Sequence, residues 1–327
     1  MSYSSINGIR GVTRRGLLAA GAGAGAMAAL GLTGIREARA AAAPGRFNLA
    51  ATPEALILRT ALYDETVLQS FAFDNTNGHL YTIQVKNGAG SPVAGDLCVT
   101  KLSLTGTILG HMYLMGFGHG VQIGVEPSGS SAYLWTETDG ASDGTNAWGR
   151  KLARFKFVNG QTLTTSSSAL TKYAPVAGAT STTCAIDPST NRLVMRYRLG
   201  GAVRYNVYAL SAVKAGNATA LFEVVQPSGL GTFQGYTAYG QYLYMLDGTA
   251  YSASNPNPGN TYLTSVDLGT GEVVQRSFTA AWKSLDYREP EGMALQFAAG
   301  QPRLCFGFAS GAAGVRKANI IYKSALL

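Results

Sequence analysis

From Gln69 onward, short apolar runs alternate with turns of Asp, Asn, Pro, Ser and Gly, and the runs come in pairs. The pairs are "QSFAFDNTNGHLYTIQV" from Gln69, "GHGVQIGVEPSGSSAYLWTE" from Gly118, "TTCAIDPSTNRLVMRYR" from Thr182, "QGYTAYGQYLYMLDG" from Gln234 and "EGMALQFAAGQPRLCFGF" from Glu291. Alternation with period two around a turn predicts a hairpin in each case. A second strand pair follows each hairpin: "CVTKLSLTGTILGHMYL", "KLARFKFVNGQTLT", "YNVYALSAVKAGNATALFEV", "YLTSVDLGTGEVVQRSFT" and, at the end of the chain, "KANIIYKS". With Gln69, His119, Thr182, Gln234 and Glu291 as equivalent starts, the pattern returns every 50 to 63 residues.

A repeat of that length is one four-stranded antiparallel blade, which cannot bury both faces alone. Five such blades predict an all-β fold, a five-bladed β-propeller over residues 47–327, whose closed ring leaves only short protected edges. The last repeat has three clear strands, and the apolar stretch "FNLAATPEALILRTALY" over residues 47–63 is available as its outer strand. The N-terminal strand is therefore expected to close the ring. A β-sandwich is the rival architecture, but it has no blade-length superperiod. Helix is expected only as a short turn near Ser211 to Ala215.

The first forty residues change the picture of where the protein works. Thr13-Arg14-Arg15-Gly16-Leu17-Leu18, an Ala/Gly/Leu stretch and Ala38-Arg39-Ala40 read as a twin-arginine signal peptide over residues 1–40, followed by a linker over 41–46. An uncleaved anchor is the alternative reading, and the many glycines make it a poor one. After cleavage no membrane span is expected, and the protein is placed outside the cell or at its wall. The signal holds five arginines and one glutamate, so the formal charge of +8 falls to a surplus of four. That surplus suits an anionic envelope polymer and is too scattered for nucleic acid. Cys98, Cys184 and Cys305 lie in apolar strand-like runs and are expected as buried free thiols. No cofactor motif and no metal-ligand spacing appears.

In a propeller the first strand of each blade lines the axis, so Gln69, His119, Thr182, Gln234 and Glu291 are expected around one mouth of the central channel. Converging polar side chains are what a sugar or polyol phosphate needs; the alternative is that they satisfy one another. His119, framed by glycines in "GFGHGVQIG", is the most versatile of the set, while His79 and His111 read as turn and surface positions. Glu289 and Glu291 flank a proline and raise a glycosidase reading, with Glu291 as its acid or base. Both would approach from one blade, so binding is favoured over turnover and no catalytic residue is assigned with it. Glu291 is expected in the hub and Glu289 at the rim. Asp74, Glu126 and Asp187 precede turn residues and are read as tying down those turns. Trp148 and Trp282 sit in loops beside cations as candidate stacking surfaces for sugar, with Lys283 and Arg288 available to an anion.

The "QSFAFD" opening, the "GHG" segment at Gly118 to Gly120 and "EPEGM" at Glu289 to Met293 resemble the five-bladed propeller family of TagC-like proteins, helveticin J-type bacteriocins and staphylococcal phage receptor-binding proteins. The resemblance covers roughly residues 50 to 327. It implies an envelope-facing protein that binds a glycopolymer such as teichoic acid. A bacteriocin-like antagonist and a secreted glycoside hydrolase or lyase are the alternatives.

Overall fold

The computed structural model describes residues 45–327, so the signal expected over 1–40 lies outside the described residues. Strand β1 (Glu54–Ala61) comes first. Blade one is β2 (Leu68–Asp74), β3 (His79–Val85), β4 (Leu97–Ser103) and β5 (Ile108–Met115). Blade two begins with β6 (Gly124–Ser128) and β7 (Ser131–Thr138). A small hairpin, β8 (Ala141–Ser142) and β9 (Ala147–Trp148), interrupts it before β10 (Lys151–Lys156). Strand β11 (Thr162–Thr164) leaves the blade and β12 (Thr171–Tyr173) completes it.

Blade three is β13 (Thr180–Asp187), β14 (Arg192–Leu199), β15 (Ala202–Ala209) and β16 (Phe222–Val225), with helix α1 (Leu210–Lys214) where a short turn was expected. Blade four is β17 (Phe233–Tyr239), β18 (Tyr242–Asp247), β19 (Tyr262–Asp267) and β20 (Val273–Phe278). Blade five is β21 (Glu289–Ala298), β22 (Gln301–Ser310) and β23 (Lys317–Lys323), and its outer strand is β1, antiparallel to β23. Among the described residues no helix is long and apolar enough to cross a membrane.

Burial follows the radial position of each strand. The innermost strand β2 is buried at all seven positions, because neighbouring blades cover both its faces. The outermost strand β20, "VVQRSF", alternates between exposed and half-buried. Aromatics of the second strands fill the seams: Tyr81, Trp135, Tyr197, Tyr244, Phe306 and Phe308 are all buried. The three cysteines are buried and free.

Two details differ from the sequence reading. "QTLT" was assigned with its neighbours to blade two, but β11 pairs parallel with β5 of blade one and stitches the two blades together. Arg46, expected in a linker, already belongs to the domain: its carbonyl accepts from Leu327 N at 2.7 Å, and its guanidinium donates to Gln275 Oε1 at 3.2 Å.

Candidate functional site

The five inner segments run side by side from one end of the axis, here the hub end, toward the far end. Each expected ring position sits where its segment begins. In β2, β13, β17 and β21 the pairing register slips there, between Leu68 and Ser70, Thr180 and Thr183, Phe233 and Gly235, and Pro290 and Met293. A bulge turns a side chain out of the regular alternation, and Gln69, Thr182, Gln234 and Glu291 all fall within these slips.

The blades meet at this level. A Cβ on Gly235 would lie 2.7 Å from Gly292 Cα, and one on Gly292 would lie 2.7 Å from Ser70 Cα, so blades four, five and one touch backbone to backbone. Ser70 Oγ donates to Gly120 O at 2.6 Å, and Thr182 N donates to Gly149 O at 2.9 Å. Thr183 Oγ1 bonds the Tyr236 hydroxyl at 3.2 Å, which closes the circle through blades three and four.

The structure gives the five ring positions different roles. Thr182 is buried and spends its hydroxyl on Lys151 O at 3.2 Å, as a tie between blades. Gln234 is 6% exposed and donates to Gly248 O at 3.1 Å, which leaves its carbonyl oxygen for other partners. Gln69 is 7% exposed. Glu291 is 3% exposed and its Oε2 has no hydrogen-bond partner. Burial, and then the nearby Glu289 charge, push its carboxyl well above the usual range. His119 lies in the loop before β6, half-buried, with Nδ1 unpartnered and its ring 4.9 Å from that of Trp148. Burial lowers its pKa to about 4.

The Gly-His-Gly segment owes its shape to a carboxylate that the sequence did not single out. Glu137, fully buried at the end of β7, accepts from His119 N at 3.1 Å, Gly120 N at 2.7 Å and Gly149 N at 2.5 Å. A Cβ on Gly118 or Gly149 would lie within 2.4 Å of that side chain, so only glycine lets the loop wrap it. Burial outweighs the three amides and carries the Glu137 carboxyl up to about 7.

Glu137 and His119 act on stability with opposite signs. Folded Glu137 binds a proton more tightly than the unfolded chain, so stability falls as pH rises from 4.5 to about 7. Folded His119 binds one more weakly, so stability rises between about pH 4 and 6.5. Each shift corresponds to about 3 kcal/mol, and the two nearly cancel over their common window. His119→Asn is therefore expected to lose about 3 kcal/mol relative to the parent chain between pH 4.5 and 6.5. Urea midpoints at both pH values test this, and parallel pH profiles would contradict it.

Gln122 is a second residue with no sequence signal. Its side chain crosses the axis, donating to Met293 O of blade five at 2.8 Å and accepting from Tyr236 N of blade four at 3.4 Å. The space around it is a cavity of about 10 Å³, the least that could hold a single water. The expected channel is thus closed at mid-height.

A hollow of about 490 Å³ opens at the far end over Phe73, Val125, Ile186, Pro188, Leu210 and Phe297. It has the volume of a ligand site, but the polar groups around it are largely committed. Asn75 spends both ends of its amide on Leu295 O and Phe297 N. Asp187 accepts from Ser189, Thr190 and Gly240 N, tying the turn as expected, and Asp74 does the same with Thr76 and Asn77. Glu126, read as another turn tie, instead binds Arg154 at 2.7 Å, Lys214 at 2.5 Å and Trp135 Nε1 at 2.9 Å. Burial alone would raise its carboxyl, and these partners outweigh it, holding the pKa at about 2.

The loop residues separate in the same way. Arg288 is fully buried, not at an accessible rim: its guanidinium donates to Ala281 O, Thr279 O and Thr261 Oγ1 and lies 4.2 Å from the Phe308 ring. Trp282 is half-buried against the core shared by blades four and five, and with Pro53 and Lys283 it borders a separate shallow hollow of about 480 Å³. Trp148 donates to Asp143 Oδ2 at 2.7 Å and stands over His119. Glu289 is half-buried and accepts from Tyr287 Oη at 2.5 Å. His79 opens β3 directly after its turn, and His111 lies within β5, stacked on Tyr63.

Residues 67–323 match the family described as the phage five-bladed β-propeller receptor-binding platform domain. The putative major teichoic acid biosynthesis protein C of Bacillus subtilis (strain 168) is 30% identical over 281 residues, which cover 82% of this chain and 62% of that one. The tail fiber of Staphylococcus aureus phage P68 shares the fold, with a TM-score of 0.68 at 20% identity, over 84% of this chain and 53% of the fiber chain. The chain therefore spans less than two thirds of either relative. With its five blades, its closed ring and a match that runs nearly from β2 through β23, the chain belongs to the phage five-bladed β-propeller receptor-binding platform family.

Proposed function

We propose that the protein is exported by its twin-arginine segment and binds a cell-envelope glycopolymer, a polyol phosphate or carbohydrate of the teichoic-acid type, at the hub end of the propeller. The family description and the name of the Bacillus relative both point to the cell surface. The observation that carries the placement is Glu291: a carboxyl more than nine-tenths buried, with Oε2 unpartnered, within a polar ring. A buried polar atom without a partner costs about 1–3 kcal/mol, and a hydroxyl or phosphate oxygen of a ligand relieves that cost. The far hollow offers apolar surface and few uncommitted donors, which suits a polyhydroxylated polymer less well. Thr182 belongs to the ring as scaffold, whereas Gln69, His119, Gln234 and Glu291 supply the contacts.

The test is retention of the protein on purified cell walls and on isolated teichoic acid at low salt. Retention that falls at least tenfold in Glu291→Ala supports the reading; absence of retention, or retention indifferent to that change, refutes it. Turnover has no comparable support, because Glu289 and Glu291 approach from a single blade.

A further inference from the structure

Arg196 is a buried cation at the hub end, 7% exposed, that makes no close ion pair among the described residues. Its Nε has no hydrogen-bond partner, its Nη2 reaches Gln226 Oε1 at 3.5 Å, and the Tyr205 hydroxyl, itself bonded to Gln226, lies beside the guanidinium. The other buried guanidinium at this end, Arg288, spends its donors on carbonyls and a hydroxyl, so Arg196 differs from it in having donors to spare.

Its position is fixed by its neighbours. Arg196 pairs with Thr183, next to the ring residue Thr182, and its backbone N donates to the Tyr236 hydroxyl of blade four at 3.1 Å. The guanidinium lies 3.8 Å from the ring of Phe233, the residue before Gln234. It therefore sits in the seam between blades three and four, at the level of the ring. Its charge also acts on Glu137 of blade two, which marks it as part of the hub field.

Burying a charge without a partner costs several kcal/mol, and arginine cannot avoid that cost by losing its proton. Stacking on Phe233 holds the guanidinium plane, so an edge with Nε can meet two oxygens of one oxyanion at once. Gln69, Gln234 and Glu291 are only 3–7% exposed, which admits a group of a few atoms and not a whole sugar.

We propose that Arg196, stacked on Phe233 in the seam next to the ring, forms an anion subsite that takes one phosphate of a polyol-phosphate chain while the ring takes the adjoining hydroxyls. The proposal rests on the hub being the ligand site, and it adds a specific charge requirement and a residue that the sequence motifs did not mark.

The experiment titrates glycerol 3-phosphate into the full chain, following phosphorus line broadening and the thermal midpoint, with glycerol and glucuronate as uncharged and carboxylate controls. The phosphate is expected to bind, Arg196→Met to weaken it at least tenfold, and Arg196→Lys to recover part of the loss, because lysine keeps the charge without the flat two-donor edge. The lysine variant also decides the matter if the methionine variant does not fold: affinity equal to the parent chain would overturn a bidentate arginine site. Equal binding by a folded Arg196→Met, or glycerol or glucuronate binding as well as the phosphate, would overturn it too. Phosphate binding that depends on Arg196 in a protein whose wall retention ignores Glu291 would keep the subsite and refute the polymer reading of the ring.

Discussion

Arg288→Met is expected to destabilise the propeller by about 4 kcal/mol, lowering the thermal midpoint by roughly 10 °C. Arg288 Nε and Nη2 each donate at 3.0 Å, to Ala281 O and Thr279 O, and Nη1 donates to Thr261 Oγ1 at 3.1 Å. These acceptors belong to the two loops before β19 and β21, and the buried guanidinium clamps one loop to the other. Methionine fills much of the volume but strands three oxygens without donors, which is the costly half of breaking a buried hydrogen bond. Lysine restores a charge at a single point and is expected to recover less than half of the loss. Calorimetry measures both variants; a fall of less than 3 °C for methionine would show that the loops hold without the clamp.

Glu291 should separate binding from stability in the opposite manner. Its carboxyl is protonated in the folded chain well above the pH at which an unfolded glutamate ionises, so folding becomes less favourable as pH rises past about 4.5. Glu291→Gln removes that penalty and is expected to gain stability relative to the parent chain as pH rises from about 4.5 to 8. An amide still donates as the neutral acid does, so wall retention of the glutamine variant should stay within about threefold. The alanine variant loses the donor altogether and should lose retention at least tenfold, the cost of about one hydrogen bond to a ligand. An alanine variant that binds normally would remove Glu291 from the site. A glutamine variant with an unchanged pH profile would mean that the buried carboxyl is not held neutral.

The repeat made most of this architecture readable from sequence, because each blade imposes the same local geometry at the same place. Gln69, Thr182, Gln234 and Glu291 were aligned only by hairpin spacing, and all four fall on the register slips of inner strands. The N-terminal stretch was legible as the outer strand of blade five because three strands were in hand and a fourth was needed. What stayed hidden depends on side-chain direction or on non-local pairing. Gln122 sits in an ordinary strand-like run, and no pattern says that its amide crosses the axis. Glu137 ends an apolar strand and looks like a surface residue until the glycine loop folds over it. Arg288 stands in a loop among charged neighbours, and its burial follows from left-handed backbone at Tyr287 and Arg288, which turns the side chain inward. Strand β11 is three residues long, too short for a periodic signal, and its partner lies in the preceding blade.

Both ends of the axis are candidates for contact with a polymer, and they carry different reporters. Nuclear magnetic resonance of the full chain titrated with purified teichoic acid distinguishes them directly. The account predicts shifts in the side-chain amides of Gln69 and Gln234 and in the indole of Trp148, with the methyl groups of Val125, Ile186 and Leu210 unmoved. Shifts confined to Val125, Ile186 and Leu210 would place the ligand in the far hollow and contradict it.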